Sequence, residues 1–383
     1  MRVCYFGTYR KEYNRNKIMI ASMRAVGIEV IECHEKLWES IEDRVNVTKG
    51  GWLNPKFWWR VAKTYLRLIK RFKSIGDFDV LMTGYPGQFD IYLANYFAKK
   101  RKKPLVADIF MSLYVIVHER KLEKAKFSAV KVLDLLEKHS YKKPILLIHD
   151  TQPYSDWISE HFGVPIEKIK LVPTGADENI FQPSTSKAFR SDKFTVLFYG
   201  TFIPNHGLDL VFRAMELLKA EEDIRYLFIG DGPEKASLVK NLAGAGIKNV
   251  EYIDWVDQKT LVEYINSADL SLGAFGATLQ SMMTVHNKVY ENMACGKAFL
   301  TGESPAIKAQ FENRREIIYC ERTPEGIAEA ILEMRDNPSL REKLEKNARE
   351  RFVRDYSFHA QGKRIEGYLE EAIEMFKQGM RIE

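Results

Sequence analysis

The sequence predicts an α/β protein with two successive domains, each built around a mostly parallel β-sheet. Short β-branched or aromatic runs alternate with longer helical patterns along the 383 residues, which is typical of βαβ units. A stretch rich in proline and serine, near residues 181–192, separates two halves of similar design. A chain of this length with 45% hydrophobic residues can form two cores.

Six runs in each half predict strands. In the first half they are RVCYFGT, IEVIEC, DVLMTGY, PLVADIF, PILLIHD and KIKLVPTG. In the second half they are FTVLFYGT, IRYLFIGDG, NVEYIDW, LSLGAFG, KAFLTG and EIIYC. After the last strand, Thr323-Pro324 and Pro338-Ser339 each predict the start of a helix. The closing amphipathic stretch is expected to pack back on the first domain.

Glycine closes many of the predicted strands. In open α/β sheets, ligands bind beyond the carboxyl ends of the strands, where the backbone turns sharply. Any one glycine favours simple turn formation, but their repetition in both halves indicates two ligand-binding edges. These glycines are Gly7, Gly84, Gly175, Gly200, Gly230, Gly273 and Gly302.

Charge and cysteine content narrow the functional class. Residues 1–180 hold 31 Lys and Arg against 21 Asp and Glu, so the basic half is the first one. This asymmetry indicates an acidic partner for that half, but no recognised nucleic-acid module accompanies it. The four cysteines form no CxxC pair, which disfavours disulfides and zinc sites. Without a signal-peptide pattern or a long apolar run, we expect a cytoplasmic protein.

The segment VHNKVYENMACG, residues 285–296, predicts an anion site. Lys288 falls in the first turn of a short helix that should end at Gly296, and a lysine there is unfavourable unless an anion binds. With Asn287 as the expected N-cap, Lys288 and the first N–H groups are suited to a diphosphate. Glu291 is suited to a ribose diol. The alternative is a surface helix with incidental charges.

A set of motifs resembles glycosyltransferase family 4. LVPTGADENIFQP, residues 171–183, resembles the VPNGVDxxxFxP junction of that family. YGTFIPNHGLDLVFRAMELL, FIGDGPEKASL, VEYIDWVDQKTLVEYINSADLSL and NKVYENMACGKAFLTG follow in the family's order. The resemblance covers nearly all of the second half and, more loosely, the first.

The resemblance implies the GT-B fold, in which two Rossmann-like domains face each other across a cleft. It places an acceptor domain at residues 1–182 and a donor domain at 183–359, with helix 360–383 returning to the first domain. Glu291 resembles the second glutamate of the family's E-x7-E motif, which binds the nucleotide ribose, and Val256 matches a position whose backbone contacts the base. The donor-binding set expected from motifs and resemblance together is Gly7, Asn16, Gly200, Thr201, His206, Gly230, Gly232, Val256, Asn287, Lys288, Val289 and Glu291.

Three positions depart from the family pattern. Met283 stands where the first glutamate of E-x7-E is expected, and Thr201 and His206 stand where many members carry Arg and Lys. A neutral imidazole still donates one hydrogen bond, and a diphosphate would favour its charged form, so His206 is expected to be a phosphate ligand, weaker than Arg or Lys. A structural turn histidine is an equal alternative.

The first domain contributes its own candidates. In GTYRKEYNRN, the N–H groups beyond Gly7, with Arg10, Arg15 and Asn16, are placed to approach donor or acceptor, and a solvated basic loop is the alternative. Asp108 and His118 follow the fourth strand, and we expect them to act catalytically by positioning an acceptor hydroxyl.

Family 4 members are retaining and metal-free, and the sequence has no DxD-like metal motif, so no metal or other cofactor is expected. The resemblance implies transfer of a sugar from a nucleotide sugar to a glycan or lipid-linked acceptor. The rival interpretation is a catalytically weak or inactive GT-B subunit that binds nucleotide or a partner enzyme. An NAD-dependent oxidoreductase is disfavoured because no GxGxxG follows the first strand.

Residues 52–73, WLNPKFWWRVAKTYLRLIKRFK, indicate how the acceptor is reached. Apolar positions recur at helical spacing beside a basic stripe, as in helices that lie on anionic lipid. The alternative is a domain helix that packs its apolar face on the sheet. The first possibility implies a peripheral position at the cytoplasmic membrane face.

Overall fold

The computed structural model describes residues 1–37, 54–119, 127–185 and 188–379, with the side chains of 118–119 and 127–129 outside this description. Its contacts divide the chain into two compact units. One comprises Met1–Thr174 with Phe358–Glu383, and the other comprises Gly175–Ser357. The division falls earlier than the 182–183 boundary expected from the sequence.

The first unit contains a six-stranded parallel sheet in the order β2-β1-β3-β4-β5-β6. Each strand arises from one of the predicted runs. The strands are β1 (Arg2–Gly7), β2 (Glu29–His34), β3 (Val80–Thr83), β4 (Leu105–Asp108), β5 (Leu146–His149) and β6 (Ile169–Leu171). The helices are α1 (Asn14–Ala25), α2 (Pro55–Lys73), α3 (Asp90–Arg101), α4 (Leu113–Glu119), α5 (Phe127–Tyr141) and α6 (Gln152–Phe162).

The second unit repeats this design, with a parallel sheet in the order β12-β11-β10-β7-β8-β9. Its strands are β7 (Phe194–Tyr199), β8 (Ile224–Ile229), β9 (Val250–Ile253), β10 (Leu270–Leu272), β11 (Phe299–Gly302) and β12 (Ile318–Cys320). Its helices are α7 (Leu208–Leu217), α8 (Lys235–Ala245), α9 (Gln258–Ser267), α10 (Leu279–Met283), α11 (Asn287–Cys295), α12 (Pro305–Gln310), α13 (Pro324–Asp336) and α14 (Pro338–Arg351).

The second sheet is buried on both faces, because successive residues of β7 enter different cores. Val196 and Phe198 pack in the core that contains α7, whereas Leu197 and Tyr199 pack in the core that contains α11. Strands covered on both faces are typical of doubly wound α/β proteins. This alternation places the Tyr199 side chain beside α11.

The last helix, α15 (Phe358–Lys377), belongs to the first unit and packs against α1. Gly362 permits this close contact, because a Cβ there would overlap the carbonyl oxygen of Ser22. The amide of Gln361 donates to the carbonyl of Pro173 at 2.7 Å, which holds α15 to the segment after β6.

The two parallel sheets confirm the predicted α/β class. Helices α13 and α14 begin where the sequence predicted: the side chain of Thr323 caps the first at the N–H of Gly326, and Pro338 opens the second. Among the described residues, no helix combines the length and apolar character needed to cross a membrane.

Candidate functional site: a buried lysine at a sheet switch point

The candidate donor site lies at the carboxyl ends of β7 and β8. Strand β7 lies between β8 and β10, so the winding of the chain reverses there, and open α/β sheets bind ligands at such switch points. Gly200 follows β7 and Gly230 follows β8, with φ angles of 137° and 127°. A Cβ on Gly230 would overlap the carbonyl oxygen of Gly200, and a Cβ on Gly232 would overlap the backbone of Phe202. These glycines therefore serve contact between neighbouring loops.

Helix α11 delivers the predicted anion-binding residues to this edge. It ends at Gly296, whose φ of 64° is left-handed, and this confirms the predicted stop. The expected N-cap was wrong: His286 occupies that position without a side-chain cap bond, and Asn287 is the first helical residue. Because nearly the whole helix is buried, the surface-helix alternative does not apply.

Lys288 places an unpaired positive charge in the site. Its Nζ lies 3.8 Å from the ring centroid of Phe198 and 3.1 Å from where a Cβ of Gly200 would stand. The residue is 7% exposed, and Nζ has no hydrogen-bond partner among the described residues. Burial lowers the pKa of Lys288 to about 7, an effect that the Glu291 carboxylate opposes. A buried ammonium without a partner is costly, so the site is suited to an anion.

Glu291 is held on the next turn by a residue from the sheet. The hydroxyl of Tyr199 donates to Glu291 Oε2 at 2.8 Å and accepts from the amide of Asn292 at 3.0 Å. Burial raises the pKa of the Glu291 carboxyl, which the Tyr199 hydrogen bond and Lys288 oppose. The second carboxylate oxygen carries no hydrogen bond from the described residues. That oxygen is suited to accept from a hydroxyl pair.

His206 occupies the same side of the site as Lys288. Its Nδ1 pairs with the carbonyl oxygen of Thr201 at 2.5 Å, and its Cε1 lies 3.5 Å from where a Cβ of Gly200 would stand. Burial lowers the pKa of His206 to about 2, and the charges of Lys288 and His286 lower it further. The ring is therefore neutral in the ligand-free structure.

Two nearby basic residues were missed by the sequence analysis. The ring centroid of His286 lies 5.6 Å from that of His206, and burial lowers the pKa of His286 to about 3, with Lys288 and Arg322 adding to the effect. Arg322 reaches the site from the segment after β12 and donates to the carbonyl oxygens of Gly276 and Glu303. The sequence position of His286, next to Asn287 and Lys288, could have identified it as a site residue. No neighbouring sequence motif identifies Arg322.

Comparisons with known proteins match the part of the chain that contains this site. A family model described as glycosyl transferases group 1 matches residues 181–351, which include every residue of the donor site described above. The alpha-D-kanosaminyltransferase of Streptomyces kanamyceticus is 23% identical over 289 residues, which are 70% of each chain. The D-inositol 3-phosphate glycosyltransferase of Segniliparus rotundus is 27% identical over 92 residues, which are 22% of this chain and 20% of that protein. The chain is a glycosyltransferase.

The fold of this glycosyltransferase is similar to that of solved structures. Sucrose-phosphate synthase from Thermosynechococcus elongatus superposes with a TM-score of 0.72 at 13% identity, covering 97% of this chain and 98% of that one. Anabaena HepE in complex with UDP and glucose gives 0.66 at 13% identity, covering 96% and 98%. The predicted GT-B fold is thereby confirmed.

The remaining predicted donor residues of the second unit, and the departing Met283, lie in different environments. Met283, which stands where the resemblance expects a glutamate, is 6% exposed at the end of α10. Val289 is buried in the core beside α11, and Val256 packs partly against the same core. Thr201 is exposed and uses its backbone carbonyl for His206.

In the first unit, the proposed catalytic Asp108 is engaged in a buried ion pair. Its carboxylate accepts three hydrogen bonds of 2.9 to 3.1 Å from Arg15, and both side chains are at most 1% exposed. A third nitrogen of Arg15 donates to the carbonyl of Val172. This ion pair gives Asp108 and Arg15 a structural role within the first unit, and a catalytic role for Asp108 stays a prediction. His118 lies in α4, with its side chain outside the described residues.

Gly7 and Asn16, which were predicted to bind the donor, have structural roles within the first unit. A Cβ on Gly7 would overlap the carboxylate of Asp90, which accepts from the N–H of Thr8 at 2.6 Å. The Asn16 amide is buried and bonds to Tyr5 and to the backbone of Tyr85. Across the described residues, no group of three His, Cys, Asp or Glu side chains is arranged to hold a metal ion. The expectation of metal-free chemistry stays a prediction.

Proposed function

We propose that this glycosyltransferase is a retaining, metal-free member of family 4. It transfers a sugar from a nucleoside-diphosphate donor to a glycan or lipid-linked acceptor. The observation that carries the proposal is the unpaired Lys288 ammonium, buried at the amino terminus of α11 with Glu291 one turn further on. Such a helix terminus favours phosphate, and the free oxygen of Glu291 suits a ribose diol. That HepE was solved with UDP and glucose supports a uridine nucleotide as the first donor to test.

The chemistry then rests on charge stabilisation and alignment. When the nucleoside diphosphate departs, negative charge develops on its phosphate, and Lys288 with the first N–H groups of α11 stabilises that charge. The acceptor hydroxyl attacks the oxocarbenium-like carbon on the same face and passes its proton to the leaving phosphate. The protein supplies no covalent nucleophile in this scheme, so positioning of two substrates provides much of the rate enhancement.

Calorimetric titration with UDP and GDP tests the proposed donor site. Glu291→Gln keeps the shape of the side chain and removes its charge, and Glu216→Gln, on the exposed face of α7, is the matched control. We expect one nucleotide to bind and the Glu291 variant to bind it roughly 10- to 100-fold more weakly, from a loss of about 1.5 to 3 kcal/mol. Absence of binding by either nucleotide, or equal binding by the Glu291 variant, contradicts the proposal.

A catalytically weak subunit that binds nucleotide is the second candidate, and Met283 favours it. A buried thioether stands where the family places a carboxylate, so the protein offers the donor sugar one hydrogen-bond acceptor fewer. Release of UDP from UDP-sugars in the presence of candidate acceptors separates the two functions. Turnover supports the enzyme, whereas nucleotide binding without turnover supports the subunit.

For the acceptor, we propose that α2 holds the protein at the cytoplasmic face of an anionic membrane. Of its 19 residues, seven are Lys or Arg and none is acidic. Leu68 and Phe72 are buried, while Trp58, Trp59 and Leu66 are 56%, 66% and 67% exposed. Exposed tryptophans beside lysines suit the head-group region of anionic lipid.

Sedimentation with lipid vesicles tests this membrane surface. The parent should bind vesicles that contain phosphatidylglycerol and should not bind vesicles of pure phosphatidylcholine. A Trp58→Ser/Trp59→Ser variant should lose binding at least about 10-fold, as expected for two large side chains withdrawn from the interface. Trp255→Ser removes a tryptophan that is 60% exposed on the second unit and should have no effect. Equal binding by both variants contradicts the proposal.

A further inference from the structure

Two imidazoles, those of His206 and His286, lie beside the unpaired Lys288 ammonium. Their ring centroids are 5.6 Å apart, and both His206 Cε1 and Lys288 Nζ lie close to the position that a Cβ of Gly200 would take. His286 stands at the amino terminus of α11, where the helix N–H groups point. The pair therefore borders the space in which the donor's diphosphate is proposed to bind.

The hydrogen bond made by Nδ1 of His206 determines whether its other ring nitrogen, Nε2, donates or accepts a hydrogen bond. A carbonyl oxygen only accepts, so the Nδ1 nitrogen beside Thr201 must carry a proton. In the neutral ring, Nε2 is then a bare acceptor, which repels a phosphate oxygen. His206 binds a diphosphate favourably only after Nε2 has also taken up a proton.

The charges around the pair oppose this protonation while the site is empty. Lys288 and His286 act on His206 from α11, and Lys288 and Arg322 act on His286 from α11 and from the segment after β12. Glu291 lies beyond Lys288 and offsets that ammonium. A bound diphosphate reverses the balance, because its negative charge favours the imidazolium form.

We propose that His206 and His286 form an imidazole pair that takes up one proton from solvent when the donor's diphosphate binds. His206 then donates a hydrogen bond from Nε2 to a phosphate oxygen, and His286 shares the charge as a second phosphate ligand. No covalent bond forms or breaks in this step. The proposal rests on the proposed donor site, and it makes donor affinity fall as pH rises.

Counting the protons that accompany UDP binding tests this pair. Calorimetric titrations at pH 8, in two buffers of different ionisation enthalpy, give the number directly, and UDP is fully ionised at that pH. Lys288, whose pKa is about 7, is mostly neutral at pH 8 in the empty site and itself takes up as much as one proton when the diphosphate binds. The parent should therefore take up between one and two protons. A His206→Gln/His286→Gln variant should take up about one fewer, and His359→Gln, an exposed residue of α15, should match the parent.

The outcomes separate this proposal from the donor site itself. If UDP binds the parent with one proton or fewer, Lys288 alone explains the uptake and the imidazole pair is overturned while the donor site stands. This test uses only the number of protons taken up by the parent, so it holds even if the double variant binds UDP too weakly to titrate. An unchanged proton count in a double variant that still binds UDP also overturns the pair. If UDP and GDP both fail to bind the parent, the donor site itself is refuted.

Discussion

Replacing Lys288 with methionine should stabilise the second unit and abolish donor binding. Methionine retains the length of the side chain and removes the buried charge. The pKa of Lys288 is about 7 in the fold against an ordinary value of 10.5, because burial disfavours the charged form. Between these two pH values the unfolded chain binds more protons than the fold, so the parent gains stability as pH rises. The methionine variant has no such dependence.

The size of the effect follows from those two pKa values. At 1.36 kcal/mol per pKa unit, burying this lysine costs the parent about 4 kcal/mol at pH 7 and about 2 kcal/mol at pH 9, where the folded lysine has lost its proton. Below pH 7 the cost becomes nearly constant, because the lysine is then charged in both states. We therefore expect Lys288→Met to be more stable than the parent by several kcal/mol at pH 7, and by about half as much at pH 9. A stabilising substitution that removes function is expected at a binding site built around an unpaired charge.

Urea unfolding followed by circular dichroism at both pH values measures this difference. Lys219→Met is the matched control, since it removes an exposed lysine of the same unit. Its stability should stay within about 0.5 kcal/mol of the parent. If Lys288→Met is less stable than the parent, or its gain is the same at pH 7 and pH 9, the unpaired buried ammonium is refuted.

Three further substitutions probe the site and its support. Gly230→Ala places a Cβ against a neighbouring carbonyl at a φ of 127°, so it should cost about 3 kcal/mol or more by thermal unfolding. Gly244→Ala, in the last turn of α8 with open space around it, should instead be neutral or stabilising, and equal effects would refute the close loop contact. Tyr199→Phe removes the hydrogen-bond donor to Glu291, the carboxylate proposed to bind the ribose, and should weaken UDP binding about 10-fold in calorimetry. Unchanged affinity would show that this hydrogen bond does not prepare the site. Asp108→Asn leaves Arg15 buried with a weakened partner and should cost about 3 kcal/mol of stability, while lost turnover with unchanged stability would make the residue catalytic instead.

Features carried by neighbouring residues were predictable from the sequence. Each strand run became a strand of a parallel sheet, and in most of them the β-branched and aromatic residues are buried there. Gly296 ends α11 because a left-handed residue is needed there, and glycine adopts that conformation without a penalty. The spacing of Lys288 and Glu291 placed both on one short helix, as the structure shows.

Features that join distant parts of the chain were not predictable. Tyr199 supports Glu291 across 92 residues, and Asp108 pairs with Arg15 across 93, so only the folded topology reveals either contact. The N-cap at Asn287 was wrong by one residue, since His286 leaves the helical conformation before the expected position. Burial of Lys288 under Phe198 depends on the packing of β7 against α11, which no local pattern encodes.

A crystal structure of the protein soaked with UDP tests the donor site most directly. We predict the diphosphate over Gly200, with an oxygen within about 3 Å of Lys288 Nζ and of the amino terminus of α11, and the ribose hydroxyls on Glu291. Nucleotide bound elsewhere on the protein, with Lys288 Nζ still unpaired, would contradict the assignment of this switch point as the donor site.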